Sequence, residues 1–373
     1  MLFVGVSFIL MLLAMIDKKD KLFNITFILV TILFSSSFGF GFDWMNYYYN
    51  YIYIESTSVS PFEPGFFYTM KLGNYLGLNF PQVLSIVTLI MYCCTYKFCK
   101  NCNSKNVAFF IIFSLLSFYM FNEQIRQGLA ISIIMLGMST KKKLNKNFLF
   151  LIAILFHYSA FICFILNPFF NVKGSERDFK IRFFSVTIFV LLVLFIFSNP
   201  NYISFIPYVF DKVSGYSSGY SEASSSIIQY ILQSRIALIY LLIGIIIFYS
   251  YKKLNNQELK SSFLAIYFLF LTKLSFFLLR FGYYIIPHFV KGIDKYYSSG
   301  SRNFRYSSIR KLSVLFLVFF VSTAPMWKLT YRMGAEYRIN IFSDKNEIQN
   351  TIAKKCNVIS LTDYGNGLFS LCR

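Results

Sequence analysis

Long apolar stretches separated by short basic turns run along the whole chain. Apolar stretches of about 17–25 residues are long enough to cross the hydrocarbon layer of a bilayer as α-helices. The pattern predicts membrane spans at residues 2–16, 22–38, 82–98, 107–121, 125–140, 183–198, 230–251, 261–279 and 312–327. We therefore predict an all-α, polytopic integral membrane protein with about 9–11 transmembrane helices.

The composition supports this prediction. Only 14% of the residues are charged and 56% are hydrophobic, whereas soluble domains carry about 25% charged residues. The 36 lysines and arginines against 16 acidic residues give a net charge of +20. In a membrane protein such an excess marks the cytoplasmic turns, and the sequence shows no nucleic-acid-binding motif. A nucleic-acid partner is therefore not expected.

The basic clusters set the predicted topology. They lie at residues 18–21, 97–105, 141–146, 173–182, 252–260 and 291–311. With these turns on the cytoplasmic side, the N-terminus and the C-terminal tail both lie outside. We predict a membrane domain at 1–327 with external loops at about 39–80 and 199–229, and an extracytoplasmic tail at 328–373. Residues 1–16 lack a basic leader and a cleavage site of small residues, which predicts a retained first span.

Two stretches do not fit a simple alternation of membrane spans and cytoplasmic turns. Residues 148–170 and 261–290 each lie between two basic clusters, so a single span would leave one cluster outside. Neither stretch has the roughly 40 residues that two full spans need. A re-entrant pair of half-helices, turning near 157–159 in the first stretch, satisfies both constraints and requires surrounding protein or a water-filled cavity. The alternative is that one basic cluster lies outside.

The sequence offers little for a cofactor. His157 and His288 are the only histidines, which excludes a multi-histidine metal site. The pair of cysteines at 99–102 has metal-like spacing but no second pair of ligands, and no Gly-rich phosphate loop is present. We expect no metal and no cofactor. Cys356 and Cys372 could pair if the tail is extracytoplasmic.

Two arginines are candidate anion ligands. Arg126, followed by Gln127, lies in the tight turn between two predicted spans, and Arg280 lies where another span leaves the bilayer. Each could be a snorkelling interfacial side chain. Alternatively, the two guanidinium groups could bind phosphate oxygens bidentately. Two such arginines facing one cavity would suit a diphosphate.

Three further residues could act on a proton. His157 lies in an otherwise apolar stretch, at the predicted re-entrant tip, and is either a buried hydrogen-bonding group or a catalyst. Asp43 and Glu63 are the notable carboxylates of the first external loop, where they could cap helices or deprotonate a hydroxyl. Tyr47 and Tyr51 beside them could form an interfacial belt or hold sugar rings.

These motifs together resemble a known family. Their order is Phe40-Gly41-Phe42-Asp43-Trp44 with Tyr47 and Tyr51, then Glu63-Pro64-Gly65, Ile125-Arg126-Gln127, Phe156-His157-Tyr158-Ser159-Ala160, and Arg280 with Tyr283-Tyr284. Over about residues 20–290 the chain resembles the EpsG family of bacterial polysaccharide proteins, which includes many Wzy-type O-antigen polymerases. Because Arg280 is followed by Phe-Gly-Tyr-Tyr, either Tyr283 or Tyr284 fits the motif position.

The resemblance implies an activity. Such polymerases resemble the GT-C class of membrane glycosyltransferases and join polyprenyl-diphosphate-linked oligosaccharide repeat units at the periplasmic face of the inner membrane, as in lipopolysaccharide biosynthesis. They need neither a nucleotide sugar nor a divalent metal. The donor and acceptor lipids are the expected partners, within the bilayer, and a chain-length regulator and a flippase are further candidates.

The resemblance also suggests roles for the residues. Arg126 and Arg280, with Gln127, would bind the diphosphate. His157, or else Asp43 or Glu63, would act on the acceptor hydroxyl, and the tyrosines would hold the sugar. The alternative functions are a lipid-linked oligosaccharide flippase or transporter, which also needs a cationic cavity, and a membrane O-acyltransferase, which needs a deep histidine.

Overall fold

The structure is a computed structural model and is almost entirely helical. It describes residues 2–56, 62–170, 172, 175–198, 235–254, 257–274, 276–298, 304–327, 329–360 and 372. Within this part of the chain, strands are limited to one antiparallel pair of two residues each. The prediction of an all-α protein is confirmed. The predicted external loop at 199–229 lies outside the described residues.

The chain forms two compact units. The first unit comprises residues 1–161 and 318–373, and the second comprises residues 162–317. The elements of residues 1–161 are α1 Leu2–Ile16, α2 Phe23–Ser35, β1 Ser37–Phe38, α3 Trp44–Ile52, α4 Pro64–Tyr75, α5 Phe80–Lys100, α6 Lys105–Leu116, a π-helical segment Ser117–Glu123, α7 Ile125–Ser139, α8 Lys143–Phe156 and a 3₁₀ turn Tyr158–Phe161.

The core of the first unit is built around α6. This helix is apolar on all sides and every one of its residues from 106 to 116 is buried, as expected for a helix in the centre of a bundle. Its neighbours are α1 and α5, and α7 packs between α5 and α8. Aromatic side chains fill the space between α2 and α6, where the rings of Phe27 and Phe109 lie 4.4 Å apart. The bundle is therefore held by dense apolar packing.

The second unit is also a helical bundle. Its elements are α9 Ile162–Phe170, α10 Glu176–Ser198, α11 Arg235–Leu254, α12 Gln257–Leu271, a 3₁₀ turn Thr272–Leu274, α13 Phe276–Tyr283, α14 Ile286–Ser298 and the first part of α15 Phe304–Thr323. α12 is central and packs against both α11 and α14. An ion pair of 2.9 Å between Lys260 and Glu176 links the start of α12 to the start of α10.

Several helices are suited to a bilayer. Among the described residues, Phe80–Lys100, Lys105–Glu123 and Glu176–Ile196 are long and apolar enough to cross a membrane, by length and composition. Five shorter apolar helices of 10–17 residues accompany them. The protein is a membrane protein with several candidate spans, and the predicted total of about 9–11 stays a prediction.

Helix breaks occur in both stretches that did not fit a simple alternation of spans and turns, residues 148–170 and 261–290. In 148–170, α8 ends at Phe156 and the 3₁₀ turn Tyr158–Phe161 follows, at the predicted turning point. In 261–290, α12 gives way to the turn Thr272–Leu274 and then to the short helix α13. The first interruption lies at the turning point predicted from the sequence, whereas for 261–290 the sequence predicted a break without its position. The re-entrant course of the chain through the bilayer stays a prediction.

The C-terminal tail packs onto residues near the end of α2. A 3₁₀ turn Ala324–Trp327 precedes the tail, which contains α16 Leu329–Gly334, β2 Ile339–Asn340 and α17 Lys345–Ser360. β2 pairs with β1, so that Ser37 lies opposite Asn340 and Phe38 opposite Ile339. A disulfide joins Cys356 of α17 to Cys372. The tail is too short for a core of its own, and this docking supplies the apolar cover that it lacks.

Candidate functional site

Glu63 is placed at the start of α4 with its side chain available for distant partners. Its backbone is extended, with φ −60° and ψ 146°, and Pro64 occupies the first helical position. Proline is well tolerated there because the first amide has no partner within the helix. The Glu63 side chain makes no capping hydrogen bond to α4. The carboxylate therefore points away from its own helix.

The Glu63 carboxylate joins a guanidinium and an imidazole side chain. Its Oε1 lies 2.7 Å from Nδ1 of His157, and its Oε2 accepts a hydrogen bond from Nη1 of Arg126. The Glu63 side chain is only 7% exposed, against 14% for His157 and 24% for Arg126. Burying a carboxylate is costly unless it is paired, and here both oxygens have partners. We call these three residues the charge cluster.

His157 reaches the carboxylate because α8 ends beside it. The residue follows the last turn of α8 with an extended backbone, φ −158° and ψ 116°. Gly65, just inside α4, allows this approach, since a Cβ atom there would lie 2.8 Å from the Leu155 carbonyl oxygen. The Glu63-Pro64-Gly65 motif thus presents a carboxylate, starts a helix and admits a neighbouring backbone.

Aromatic rings enclose the guanidinium of Arg126. Its central carbon lies 4.9 Å from the ring centroid of Phe62 and 5.5 Å from that of Tyr47. Both rings also pack against Phe66. Cation–π contacts of this kind attract a guanidinium to the faces of the rings. Burial raises the pKa of Tyr47 to about 12, despite the opposing charge of Arg126, so the phenol stays protonated.

The carboxylate is held in its ionised form. Burial opposes ionisation, but the hydrogen bond from His157 and the charge of Arg126 lower the pKa of Glu63 to about 2. Glu63 therefore loses its charge only as the pH falls toward that value. An ionised carboxylate can only accept hydrogen bonds, so the Nδ1 atom of His157 is the donor to Glu63. Any transfer of a proton to or from this imidazole then takes place at Nε2.

The structure also describes Asp43, Gln127 and Tyr51, the other predicted residues of the first unit. Asp43 immediately precedes α3 without a capping hydrogen bond, and its charge acts on Tyr47 and on Glu123. Gln127 is buried beside Arg126. Tyr51 is buried against Phe80, and its hydroxyl donates to the Leu78 carbonyl.

Three predicted residues belong to the second unit. Arg280 and Tyr283 lie on α13, and Tyr284 is buried just after that helix. Gly282 packs tightly against Thr272 of the preceding turn, where a Cβ atom would lie 3.1 Å from the threonine side chain. The structure thus holds these residues on a short helix after a break. Their predicted part in binding a substrate stays a prediction.

Sequence reasoning found the members of the charge cluster but not their pairing. Glu63 was a candidate base and Arg126 a candidate phosphate ligand, whereas the structure joins them. The sequence gives no signal for Phe62, whose ring centroid lies 4.9 Å from the guanidinium carbon of Arg126. One signal was available, because isolated charges near apolar segments need partners of opposite sign, and the sequence offers few carboxylates.

The arrangement is that of a helical membrane protein with a buried carboxylate–histidine pair and an adjoining arginine. The model of the EpsG family matches residues 20–343. The chain therefore belongs to the EpsG family, a family of polysaccharide polymerase-like membrane proteins. No curated protein and no solved structure is found to match the chain.

Substituting Gly65 tests the packing that assembles the cluster. We expect Gly65→Ala to destabilise the protein by about 1–3 kcal/mol, because overpacking forces backbone shifts and the new Cβ would lie 2.8 Å from the Leu155 carbonyl oxygen. Thermal unfolding of the detergent-solubilised protein measures the effect. Gly5→Ala is the control, since no atom lies within 4 Å of its Cβ position. Equal melting temperatures for the two variants would contradict the packing argument.

Proposed function

We propose that this protein is a polysaccharide polymerase that joins polyprenyl-diphosphate-linked oligosaccharide repeat units by glycosyl transfer. The observation that carries the proposal is the charge cluster of Glu63, Arg126 and His157, in a chain of the EpsG family. The cluster combines an oriented histidine with an arginine beside it. A glycosyl transfer from a diphosphate donor needs a group that takes a proton and a group that receives negative charge.

In the proposed reaction, a hydroxyl oxygen of the acceptor sugar attacks the anomeric carbon of the donor. The bond from that carbon to the phosphate oxygen breaks, and its electron pair leaves with the polyprenyl diphosphate. The hydroxyl proton passes to Nε2 of His157. Glu63 stabilises the imidazolium that forms and fixes the ring through Nδ1, as the carboxylate does in Ser–His–Asp triads.

Arg126 would stabilise the departing diphosphate. Its Nη1 is engaged by Glu63, and its Nε has no hydrogen-bond partner among the described residues. A guanidinium has five N–H donors in a fixed plane, so binding Glu63 leaves donors for phosphate oxygens. Arg280 and Gln127 are proposed as further ligands of the diphosphate. Within this proposal Glu63 is a positioning group, because its low pKa makes it a poor base.

Tyrosines and Asp43 would form the sugar-binding side of the site. Tyr47 contacts Arg126 directly, and its protonated phenol can donate a hydrogen bond. Tyr51, Tyr283 and Tyr284 are proposed from the family motif alone. Asp43, at the start of the helix that carries Tyr47, is proposed to accept a hydrogen bond from a sugar hydroxyl.

We further propose that the site faces the periplasm of a bacterial inner membrane. The positive-inside pattern supports this orientation, and the disulfide between Cys356 and Cys372 supports it independently. Disulfides persist in oxidising compartments and are rare in the cytosol. Lys355, next to Cys356, hydrogen-bonds to the Gly41 carbonyl, so the disulfide and the first loop lie on the same side.

The broken helices of both units also fit a transporter, which uses interrupted helices at its binding site. A deletion of the gene, followed by gel analysis of the cell-surface polysaccharide, separates the functions. Loss of a polymerase leaves single repeat units, and loss of a flippase leaves none. Loss of an O-acyltransferase changes only the mass of the polymer.

Substitutions at His157 and Glu63 test the proton transfer. We expect His157→Gln to lower the rate of polymerisation by roughly 10²–10⁴-fold, the usual contribution of a general base. Glu63→Gln should lower the rate less and move the acid limb of the pH–rate profile to lower pH. The reason is that the glutamine amide no longer stabilises the imidazolium of His157. In the wild type, Glu63 stays ionised down to a pH near 2, so its own titration does not produce the acid limb.

Glu55→Gln, an exposed position in the same loop, is the matched control and should behave as the wild type. Rates are measured on membranes supplied with lipid-linked repeat units, at equal protein level. An acid limb that does not move in Glu63→Gln would show that the Glu63–His157 pair does not control the reaction.

Lysine substitutions test the proposed diphosphate ligands. Arg126→Lys and Arg280→Lys keep the charge but lose the bidentate geometry. Each should reduce polymerisation by about 10²–10³-fold, the typical cost of losing one such donor. Arg332→Lys, on the exposed face of α16, should have no effect. If a variant with both Arg126→Lys and Arg280→Lys, at normal protein level, still made long-chain polymer, the proposed binding of the diphosphate by these arginines would be ruled out.

Thiol labelling tests the orientation. In a variant whose five other cysteines are replaced by alanine, Cys356 and Cys372 should react with a membrane-impermeant maleimide in spheroplasts only after reduction. In the same background, the cysteine introduced by Lys142→Cys, in an exposed basic turn, should stay unlabelled until the membrane is permeabilised. Labelling of this introduced cysteine in intact spheroplasts, with Cys356 protected even after reduction, would reverse the proposed topology.

A further inference from the structure

A buried lysine joins the C-terminal helix to the turn of residues 39–44, here called the first-loop turn. Lys355 of α17 is 0% exposed. Its Nζ donates hydrogen bonds to the carbonyl oxygens of Gly41 at 2.6 Å and Gly334 at 2.7 Å. The ammonium also lies 5.0 Å from the ring centroid of Phe42 and 6.0 Å from that of Trp44. The Lys355 side chain thus contacts the backbone of the turn at Gly41 and the rings of both Phe42 and Trp44.

A carboxylate completes the surroundings of this lysine. Glu123, at the end of the π-helical segment, is buried, and its charge acts on Lys355. The Phe42 amide donates a hydrogen bond to the same carboxylate. Burial lowers the pKa of Lys355 to about 7, although the charge of Glu123 opposes this. Burying a lysine is costly, and here hydrogen bonds to two backbone carbonyl oxygens offset the cost. One of these acceptors, Gly41, belongs to the first-loop turn.

The first-loop turn contacts both Glu123 and Lys355 closely. A Cβ atom on Gly41 would lie 2.7 Å from Cγ of Glu123, so the backbone of the turn rests directly on that side chain. The position of the turn is therefore set by its contact with Glu123 and by the hydrogen bond from Lys355.

α17 itself is anchored independently of Lys355. Ile348, Ile352 and Ile359 are buried and lie on one face of the helix, because residues three to four positions apart share a face. Lys355 lies on that apolar face. The disulfide from Cys356 to Cys372 restrains the end of the helix. α17 can therefore act as a fixed support.

The first-loop turn leads straight into the proposed site. It carries Asp43, and Trp44 begins α3. One turn further along α3, Tyr47 packs against Phe62 and lies beside the guanidinium of Arg126. A shift of the turn would thus be passed along a short rigid helix to the charge cluster.

We propose that Lys355 is a positioning residue of the active site, which holds the first-loop turn, and through it Asp43 and Tyr47, in the geometry that the acceptor sugar requires. α17 lies beyond residue 343, where the match to the family model ends. Lys355 therefore belongs to the C-terminal part of the chain, outside the residues that match the family model. The proposal rests on the polymerase function proposed above.

Trp44 reports directly on this contact. Trp327→Phe leaves it as the sole tryptophan of the chain, and its ring is fully buried. In this background we expect Lys355→Met to increase the acrylamide quenching of Trp44 toward that of an exposed tryptophan. Lys354→Met, on the exposed neighbouring position, should leave the quenching unchanged.

A second variant separates positioning from folding. Lys355→Met alone leaves the Glu123 carboxylate buried without its cation, which destabilises the protein. The double variant Lys355→Met with Glu123→Gln removes that unpaired charge, so its melting temperature should return toward the wild-type value. Its Trp44 quenching should stay high, and its polymerisation rate should stay roughly tenfold or more below wild type, since small misplacements cost large factors in rate.

The outcomes are distinct. Wild-type quenching and a wild-type rate in the double variant would overturn the proposal, as would a rate loss that follows the melting temperature alone. The fluorescence measurement needs no substrate. A deletion strain that still makes full-length polymer would therefore refute the polymerase function, whereas unchanged Trp44 quenching would refute the role of Lys355.

Discussion

The buried carboxylate of Glu63 is the interaction on which the proposed site depends. A carboxylate that is 7% exposed is tolerated only if cations and donors replace the water that it loses. Arg126 and His157 supply these partners from the start of α7 and the end of α8. Removing Arg126 or His157 would leave the carboxylate short of a partner, so each of the three residues depends on the other two. The same pairing that stabilises the fold gives the histidine its orientation.

The architecture brings these residues together through interruptions in its helices. His157 lies where α8 stops, Glu63 where α4 begins, and Arg126 just after the π-helical segment ends. Side chains at helix ends can reach partners that a continuous helix would direct elsewhere. The cost is irregular backbone, which a membrane protein tolerates only where protein or water satisfies its polar groups. The interrupted helices of this chain therefore position the residues of the proposed site, and continuous helices such as α5 form the bundle around them.

Much of the fold was predictable from the apolar pattern, since burial of each helix depends on local composition. The interruption at His157 followed from the spacing of basic clusters. The pairing of Glu63 with Arg126 was not predictable, because 63 positions separate the two residues and any of the three carboxylates of the first loop could have been the partner. Lys355 shows the same limit. It continues the spacing of Ile348 and Ile352, which marks it as inward-facing, but no local signal identifies Gly41 as its acceptor.

The π-helical segment Ser117–Glu123 keeps two opposite charges from neutralising each other. Glu123 and Arg126 are three positions apart, a spacing that would place them side by side on one α-helix as an ion pair. The wider winding and the non-helical Gln124 separate them. Glu123 is left to Lys355 and the Phe42 amide, and Arg126 to Glu63 and two aromatic rings. A short irregularity in one helix thus lets a single stretch of sequence serve two separate electrostatic networks.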